Sequence, residues 1–135
     1  MLVNGRPLNV FSTHLDPSSS STRVYEVGTM KNCATNWAEA RVIGGDFNMQ
    51  AASTEYNAMT TAYGDAWPQA KALGTALNYS GNCDGCTRNS RIDYVFVSKA
   101  ATWLVVKSAQ VYDTRSSTGV MPSDHKPMLV EYEVR

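Results

Sequence analysis

Four short stretches carry the residue types that chemistry needs. They are His14 in "FSTHLD", Asp46 and Asn48 in "GGDFN", Asp93 in "SRIDYVF", and the adjacent Asp124 and His125 in "PSDHKP". Each places an acid, an amide or an imidazole at the end of an apolar run or just before one, where burial is costly unless a partner compensates it. Asp46 and Asn48 are two residues apart, so on a strand they share a face while Phe47 points into the opposite layer. Gly44 and Gly45 let the backbone bend or approach another group closely just before them. Taken singly, each stretch has a plain explanation: a strand ending in an Asx turn, a hydrogen-bonded histidine, or a turn before Lys126 and Pro127.

The elements that must position these residues are legible in outline. "LVNGRPLNVFSTHL" reads as a hairpin with Asn4-Gly5 at the turn, leading into a strand that ends near His14. "DPSSSST" reads as a polar loop. From Arg23 to about Ala38, Val24, Val27, Met30, Ala34 and Trp37 recur at helical spacing, which predicts an amphipathic helix lying on a sheet. "RVIGGDF" is a short buried strand. Ser53 is placed to cap a second helix with Tyr56, Met59 and Tyr63 on one face and Gly64 at its end. Residues 66 to 87 give mixed signals and read as loop-rich. "RIDYVFVS" and "TWLVVKSAQVYD" are rich in β-branched and aromatic residues, the second as one strand or a pair. "TRSSTGVMPSDH" is a polar loop, and "KPMLVEYEV" alternates with the period of a half-exposed strand. The order of elements gives an α/β or α+β class with layered sheet and helices in one domain, residues 1–135.

Bulk composition narrows the function classes. A chain of 135 residues with 43% hydrophobic and 18% charged residues can bury its own core, which excludes a disordered or fibrous class. Twelve basic residues balance twelve acidic ones without a cluster, so the footprint of a tight nucleic-acid binder is absent. An enzyme that touches one phosphodiester at a time remains compatible. No apolar run approaches the roughly 20 residues of a membrane span, and "MLVNGRPLNVF" lacks the pattern of a signal peptide.

Three cysteines and two distant histidines make a poor structural zinc site, which takes four ligands. Cys83 and Cys86 sit among Gly, Asn and Asp before a strand, unlike a thioredoxin-type motif at a helix start. They are either a short-loop disulfide or two free thiols. A disulfide would point to a secreted parent protein and would stiffen the approach to Asp93. Trp67 either lines a cleft or packs, and packing is the favoured reading.

In their order along the chain, "THL", "GDFN", "RIDYVF" and "SDHKP" resemble the endonuclease/exonuclease/phosphatase superfamily, the group of deoxyribonuclease-like enzymes and phosphoesterases. The resemblance runs from residue 13 to 127 and covers only the C-terminal half of the usual domain. It implies half of a four-layer αββα sandwich, with a mixed or antiparallel sheet and two main helices on its outer face. It also implies divalent-metal-dependent hydrolysis of phosphoesters, DNA among them, with Mg²⁺ or Mn²⁺, and Ca²⁺ as a further candidate. Position by position, the resemblance makes Asp46 the carboxylate that positions the attacking water and shares the metal with Asp124. Asn48 and His14 become phosphate contacts, and His14 also a candidate to assist the leaving group; apart from the resemblance, Arg88, Arg91 and Lys126 lie beside the motifs as either phosphate contacts or plain solvated charges. His125 becomes the general base or a phosphate contact, oriented by Asp93. The physics is consistent, because two carboxylates about 4 Å apart repel by about 4 kcal/mol at an effective dielectric near 20, which calls for a cation. Magnesium prefers oxygen ligands and shares itself with phosphate.

The family's metal-binding Glu, in a "QE" motif, and an Asn near the domain start have no counterpart here. Glu26, Glu39, Glu55, Glu131 and Glu133 all stand in other contexts. The missing strands imply an open apolar sheet face. Three readings follow: a two-fold homodimer in which each copy supplies what the other lacks, a truncated gene fragment, or a non-catalytic phosphate- or nucleic-acid-binding half-domain.

Overall fold

In the computed structural model, which describes residues 1–135, the first turn forms as its residues dictate. Asn4 and Gly5 take φ of 49° and 77°, and the turn joins β1 (Leu2–Val3) to β2 (Arg6–Pro7) in antiparallel register. Asn and Gly are the residues that reach this left-handed region at least cost. Strand β3 (Asn9–His14) then lies parallel to β4 (Arg41–Asp46). On its other side β4 pairs antiparallel with β7 (Asp93–Ser98), and β7 pairs with the short β5 (Tyr63–Asp65), giving the order β3-β4-β7-β5. A smaller sheet has the order β6 (Ala76–Leu77), β8 (Leu104–Val111), β9 (Met128–Val134).

Alternation along the strands sorts the core into two halves. Phe11, Ile43, Phe47, Tyr94 and Phe96 face α1 (Ser20–Ala34) and α2 (Thr54–Thr60), meeting Val27, Met30 and Met59. Phe47 and Phe96 pack edge to face with ring centroids 5.1 Å apart, a favoured aromatic geometry. Val42, Val95 and Val97 face the smaller sheet, where Val106, Ala109 and Val111 wait with Trp67 and Ala70 of α3 (Ala66–Ala72). The result is a mixed α/β stack of helices, sheet and second sheet, with α3 touching strands of both sheets.

Helix bounds differ from the periodicity at both ends. Ser19 caps α1 by accepting the Thr22 amide, so the first helical residues come from the serine tract that reads as loop. The helix stops at Ala34, where the Thr35 hydroxyl donates to the Asn32 carbonyl and Arg41 donates to the Ala34 carbonyl. Trp37 therefore leaves the helix and is 57% exposed. Likewise α2 ends at Thr60, and Tyr63 is buried as the first residue of β5, opposite Ser98. Residues 66 to 77 hold a helix and a strand where mixed signals suggest loop. Asp65 caps α3 through the Trp67 amide at 3.1 Å, and Pro68 sits in the first turn, where its missing N–H costs nothing. Trp67 is buried, in keeping with packing.

The smaller sheet does not reach across to β3. Val10, Ser12 and His14, on the face turned away from the helices, are exposed. Val10 is 63% exposed and joins Met1, Leu8, Phe11 and Trp37 around an apolar groove of about 420 Å³. Phe11 belongs to the helix-facing side and Val10 to the other, so the groove runs along the edge strand β3.

Gly45 ties the fold to the site. Its φ of 144° is open to glycine, and a Cβ there would run into the Thr13 backbone on β3. Gly45→Ala should cost about 1–3 kcal/mol in urea unfolding, the range for residues forced into sparsely populated backbone. Gly44→Ala, whose Cβ would meet the Tyr94 carbonyl at an ordinary 3.6 Å, should cost measurably less.

Candidate active site

Strand register gathers the motif residues into one row. His14 on β3 lies opposite Asp46 on β4, and Asp46 lies opposite Asp93 on β7. Adjacent strands are about 4.8 Å apart, so three separated motifs become neighbours at one end of the sheet. The loop before β9 then brings His125 over the row. Its Nδ1 is 2.8 Å from Asp93 Oδ2 and its Nε2 is 3.9 Å from Asp46 Oδ2. His14 approaches the same Asp46 oxygen from the other side, with Nε2 at 3.5 Å.

Like charges directly opposite on paired strands destabilise a sheet. Here His125 stands between the two carboxylates, and Asp93 has a second donor in the Thr87 hydroxyl, 2.5 Å away. A carboxylate can only accept, so the His125 proton facing Asp93 belongs on Nδ1, and Nε2 is the ring nitrogen turned toward Asp46. Asp46 Oδ1 accepts the Asn48 amide at 2.8 Å, whereas no hydrogen bond reaches its Oδ2. Ligand atoms of Asp46, Asp93 and His125 lie within 4.8 Å of one another, close enough to hold one metal ion. Asp93 and His125 also form part of the wall of a cleft of about 440 Å³ that includes Gly45, Val95 and Thr114. The Thr114 hydroxyl in that wall is buried without a partner.

Three of the singled-out residues are engaged by other groups of the chain. Asn48 adopts φ of 47° just past β4, and its Nδ2 donates to the Leu15 carbonyl at 2.9 Å. One of its two amide protons thus ties the ends of β3 and β4 together. Asp124 does not join Asp46: it is 69% exposed and pairs with Arg88 at 2.9 Å. Arg91 does not face the row either. Its Nη1 is 2.5 Å from Asp65 Oδ2, a carboxylate with 2% exposure, and its guanidinium lies over the Tyr94 ring. Burial works against the Arg91 charge, but the charge and hydrogen bond of Asp65 outweigh it and hold the guanidinium above its ordinary range. Arg91 is partly buried, and a phosphate approaching its Nη1 would compete with that pair.

Cys83 and Cys86 are joined as a disulfide, and Cys33 is a free thiol. Thr87, immediately after the pair, is fully buried beside Asp93. No sequence signal marked it, because one threonine in a Gly- and Asn-rich loop carries no periodicity.

A layered α/β stack with acids and imidazoles at the strand ends of its larger sheet is the class that these features define. The family profile described as "Endonuclease/Exonuclease/phosphatase family" matches residues 32–125, and the chain belongs to that family. Members of the family are metal-dependent phosphoester hydrolases. Among solved structures, the chain is similar to an endonuclease/exonuclease/phosphatase family protein from Bacteroides thetaiotaomicron, with 25% identity and a TM-score of 0.72 over 90% of this chain and 48% of that one. It is also similar to a mannosyl-6-phosphatase from Bacteroides thetaiotaomicron VPI-5482, with 24% identity and a TM-score of 0.63 over 90% and 50%. A third is D. rerio TDP2 complexed with a single-strand DNA product, with 17% identity and a TM-score of 0.61 over 87% and 52%. The chain therefore spans about half the length of the structures that it matches. No curated protein matches the sequence. No helix is long and apolar enough to cross a membrane.

Proposed function

We propose that this chain is a divalent-metal-dependent phosphoester hydrolase, a nuclease or phosphodiesterase of broad specificity, completed by a second copy of itself. The observation that carries the reading is the row of His14, Asp46 and Asp93 with His125 set above it.

The residues present fit a hard divalent cation. Asp46 has an oxygen free of hydrogen bonds, and Asp93 and His125 lie close enough to share an ion. With His125 kept as the base, the two carboxylates would hold the ion and leave room for water and substrate oxygens, the arrangement magnesium favours. Asp46 would hold the ion, and Asp124 would join it once Arg88 turns to a substrate phosphate. The Arg88–Asp124 pair is exposed on both sides and worth at most about 1 kcal/mol, so its exchange is cheap. When bound, such an ion neutralises charge developing on phosphoryl oxygens and favours hydroxide.

The chain's own groups do the rest. His125, with Nδ1–H given to Asp93, presents a basic Nε2 that takes a proton from water. His14 is 72% exposed at the open end of the row and meets the phosphate or the leaving group. Asn48 keeps one amide proton for phosphate after serving Leu15. Neutral net charge is consistent with an enzyme that handles one phosphodiester at a time, since tight DNA binding takes several Lys or Arg contacts.

A second copy is the occupant favoured for the groove beside β3. The chain is about half as long as similar structures, and that edge carries Val10 and Trp37 exposed. Plasmid DNA should be nicked with Mg²⁺ or Mn²⁺ and left intact with a chelator. Light scattering should give twice the 14.8 kDa of one chain, and Val10→Lys should return a monomer. A monomeric wild type at micromolar concentration would remove the paired arrangement, and phosphate binding without turnover would favour a binding module.

A further inference from the structure

Both partners of the His125–Asp93 hydrogen bond hang on one buried residue. The Thr87 hydroxyl donates to Asp93 Oδ2 at 2.5 Å, the same oxygen that meets His125 Nδ1 at 2.8 Å. That hydroxyl also accepts the Asp93 backbone amide at 3.2 Å. The Thr87 carbonyl accepts the amide of Lys126, the residue after His125, at 2.7 Å. Thr87 is 0% exposed, so water cannot replace any of these bonds.

What fixes Thr87 is the loop that precedes it. The Cys83–Cys86 disulfide closes the turn immediately before it, and the Cys86 amide donates to the Cys83 carbonyl across that turn. Asn82 Nδ2 donates to the Cys86 carbonyl at 2.8 Å, and Asn78 Nδ2 to the Cys83 carbonyl at 2.7 Å. Inside the disulfide loop, Asp84 accepts the buried Trp67 indole N–H at 3.0 Å, which anchors the turn to α3. The turn is pinned on both sides, and its last link is Thr87.

We propose that Thr87 is a positioning residue that holds the Asp93 carboxylate and the His125 backbone in one arrangement, and that the Cys83–Cys86 disulfide keeps Thr87 in place. Without the hydroxyl, Asp93 is free to rotate about its side-chain bonds, and the His125 ring loses its fixed acceptor. Outer groups of this kind cost roughly 10-fold to 100-fold in activity or metal affinity when removed. The kinetic part rests on the hydrolase reading above; the contact itself does not.

Two readouts therefore test it on the whole chain. In ¹⁵N-histidine-labelled protein, the hydrogen-bonded His125 Nδ1 proton should give a low-field, slowly exchanging proton resonance, assigned by its loss in His125→Ala. Thr87→Ser, which keeps the hydroxyl, should retain it, and Thr87→Val, which keeps the shape, should lose it. Dithiothreitol supplies the two electrons and two protons that convert the disulfide to thiols. It should abolish the resonance in wild type and change nothing further in Thr87→Val. Turnover should follow the same pattern, falling at least about 10-fold in Thr87→Val with KM little changed. Thermal unfolding of each variant shows whether it is folded, and Thr87→Ser carries the comparison if Thr87→Val is not. A resonance that persists in folded Thr87→Val, or is absent from folded Thr87→Ser, overturns the proposal. Persistence in reduced wild type removes the disulfide from it. Absence of turnover in wild type with the resonance pattern intact defeats the hydrolase reading and leaves the positioning role standing.

Discussion

His125→Ala should lower the turnover of an activated phosphodiester at least about 100-fold, the low end for losing a general acid–base group. The ring is the one group in contact with both carboxylates, and its basic nitrogen faces the oxygen of Asp46 that no donor reaches. The fold should survive the change. His125 sits in a loop, is partly exposed, and makes its only side-chain hydrogen bond to Asp93, which keeps Thr87. Circular dichroism and urea unfolding should therefore match wild type while the rate collapses. Equal rates would show that proton transfer does not pass through this imidazole.

The second large effect is on stability. Arg91→Ala should destabilise the chain by about 3–5 kcal/mol, the cost of leaving one member of a buried ion pair without its partner. Asp65 would keep the Tyr56 hydroxyl and the Trp67 amide, which places the loss toward the lower end. Arg88→Ala, at an exposed pair, should stay within about 0.5 kcal/mol, as surface changes usually do. Urea midpoints separate the two. Were Arg91 a phosphate contact, its loss would instead raise KM and leave the midpoint where it was.

These two residues show why some of the site was legible and some was not. His125 and Asp93 stand in short motifs, and strand spacing converts those motifs into neighbours once β4 and β7 pair in register. Asp46 was readable for the same reason, as an acid where an apolar strand ends. Arg91 lies two residues before Asp93, and sequence proximity suggests a shared role. Its partner, however, is Asp65, 26 residues earlier on a strand of three residues that no periodicity reveals. Asp124 adjoins His125 in sequence but turns outward to Arg88, because nothing in a polar loop fixes which of two adjacent side chains faces the sheet.

The fold divides along the same line. The β-branched and aromatic run "DYVFVS" and the alternating run "MLVEYEV" became strands where the pattern put them. Strands β5 and β6, of three and two residues, are too short for alternation to be counted, and α3 makes only about two helical turns. Capping chemistry set the ends: Ser19 and Ser53 start their helices, while Thr35 and Arg41 finish α1 four residues before its apolar spacing runs out at Ala38. Trp37, read as part of a buried face, is displayed beside Val10 instead.

The proposed activity is phosphoester hydrolysis by the row of acids and imidazoles with a divalent ion held at Asp46. The most direct measurement is the rate of hydrolysis of an activated phosphodiester by wild type and by Asp46→Asn as Mg²⁺ is raised from zero. A wild-type rate that rises to saturation with Mg²⁺ and vanishes with chelator, beside a flat baseline for Asp46→Asn, is the expected result. A wild-type rate at the uncatalysed baseline at every Mg²⁺ and Mn²⁺ concentration, or one that survives chelation, would contradict metal-dependent hydrolysis at this site.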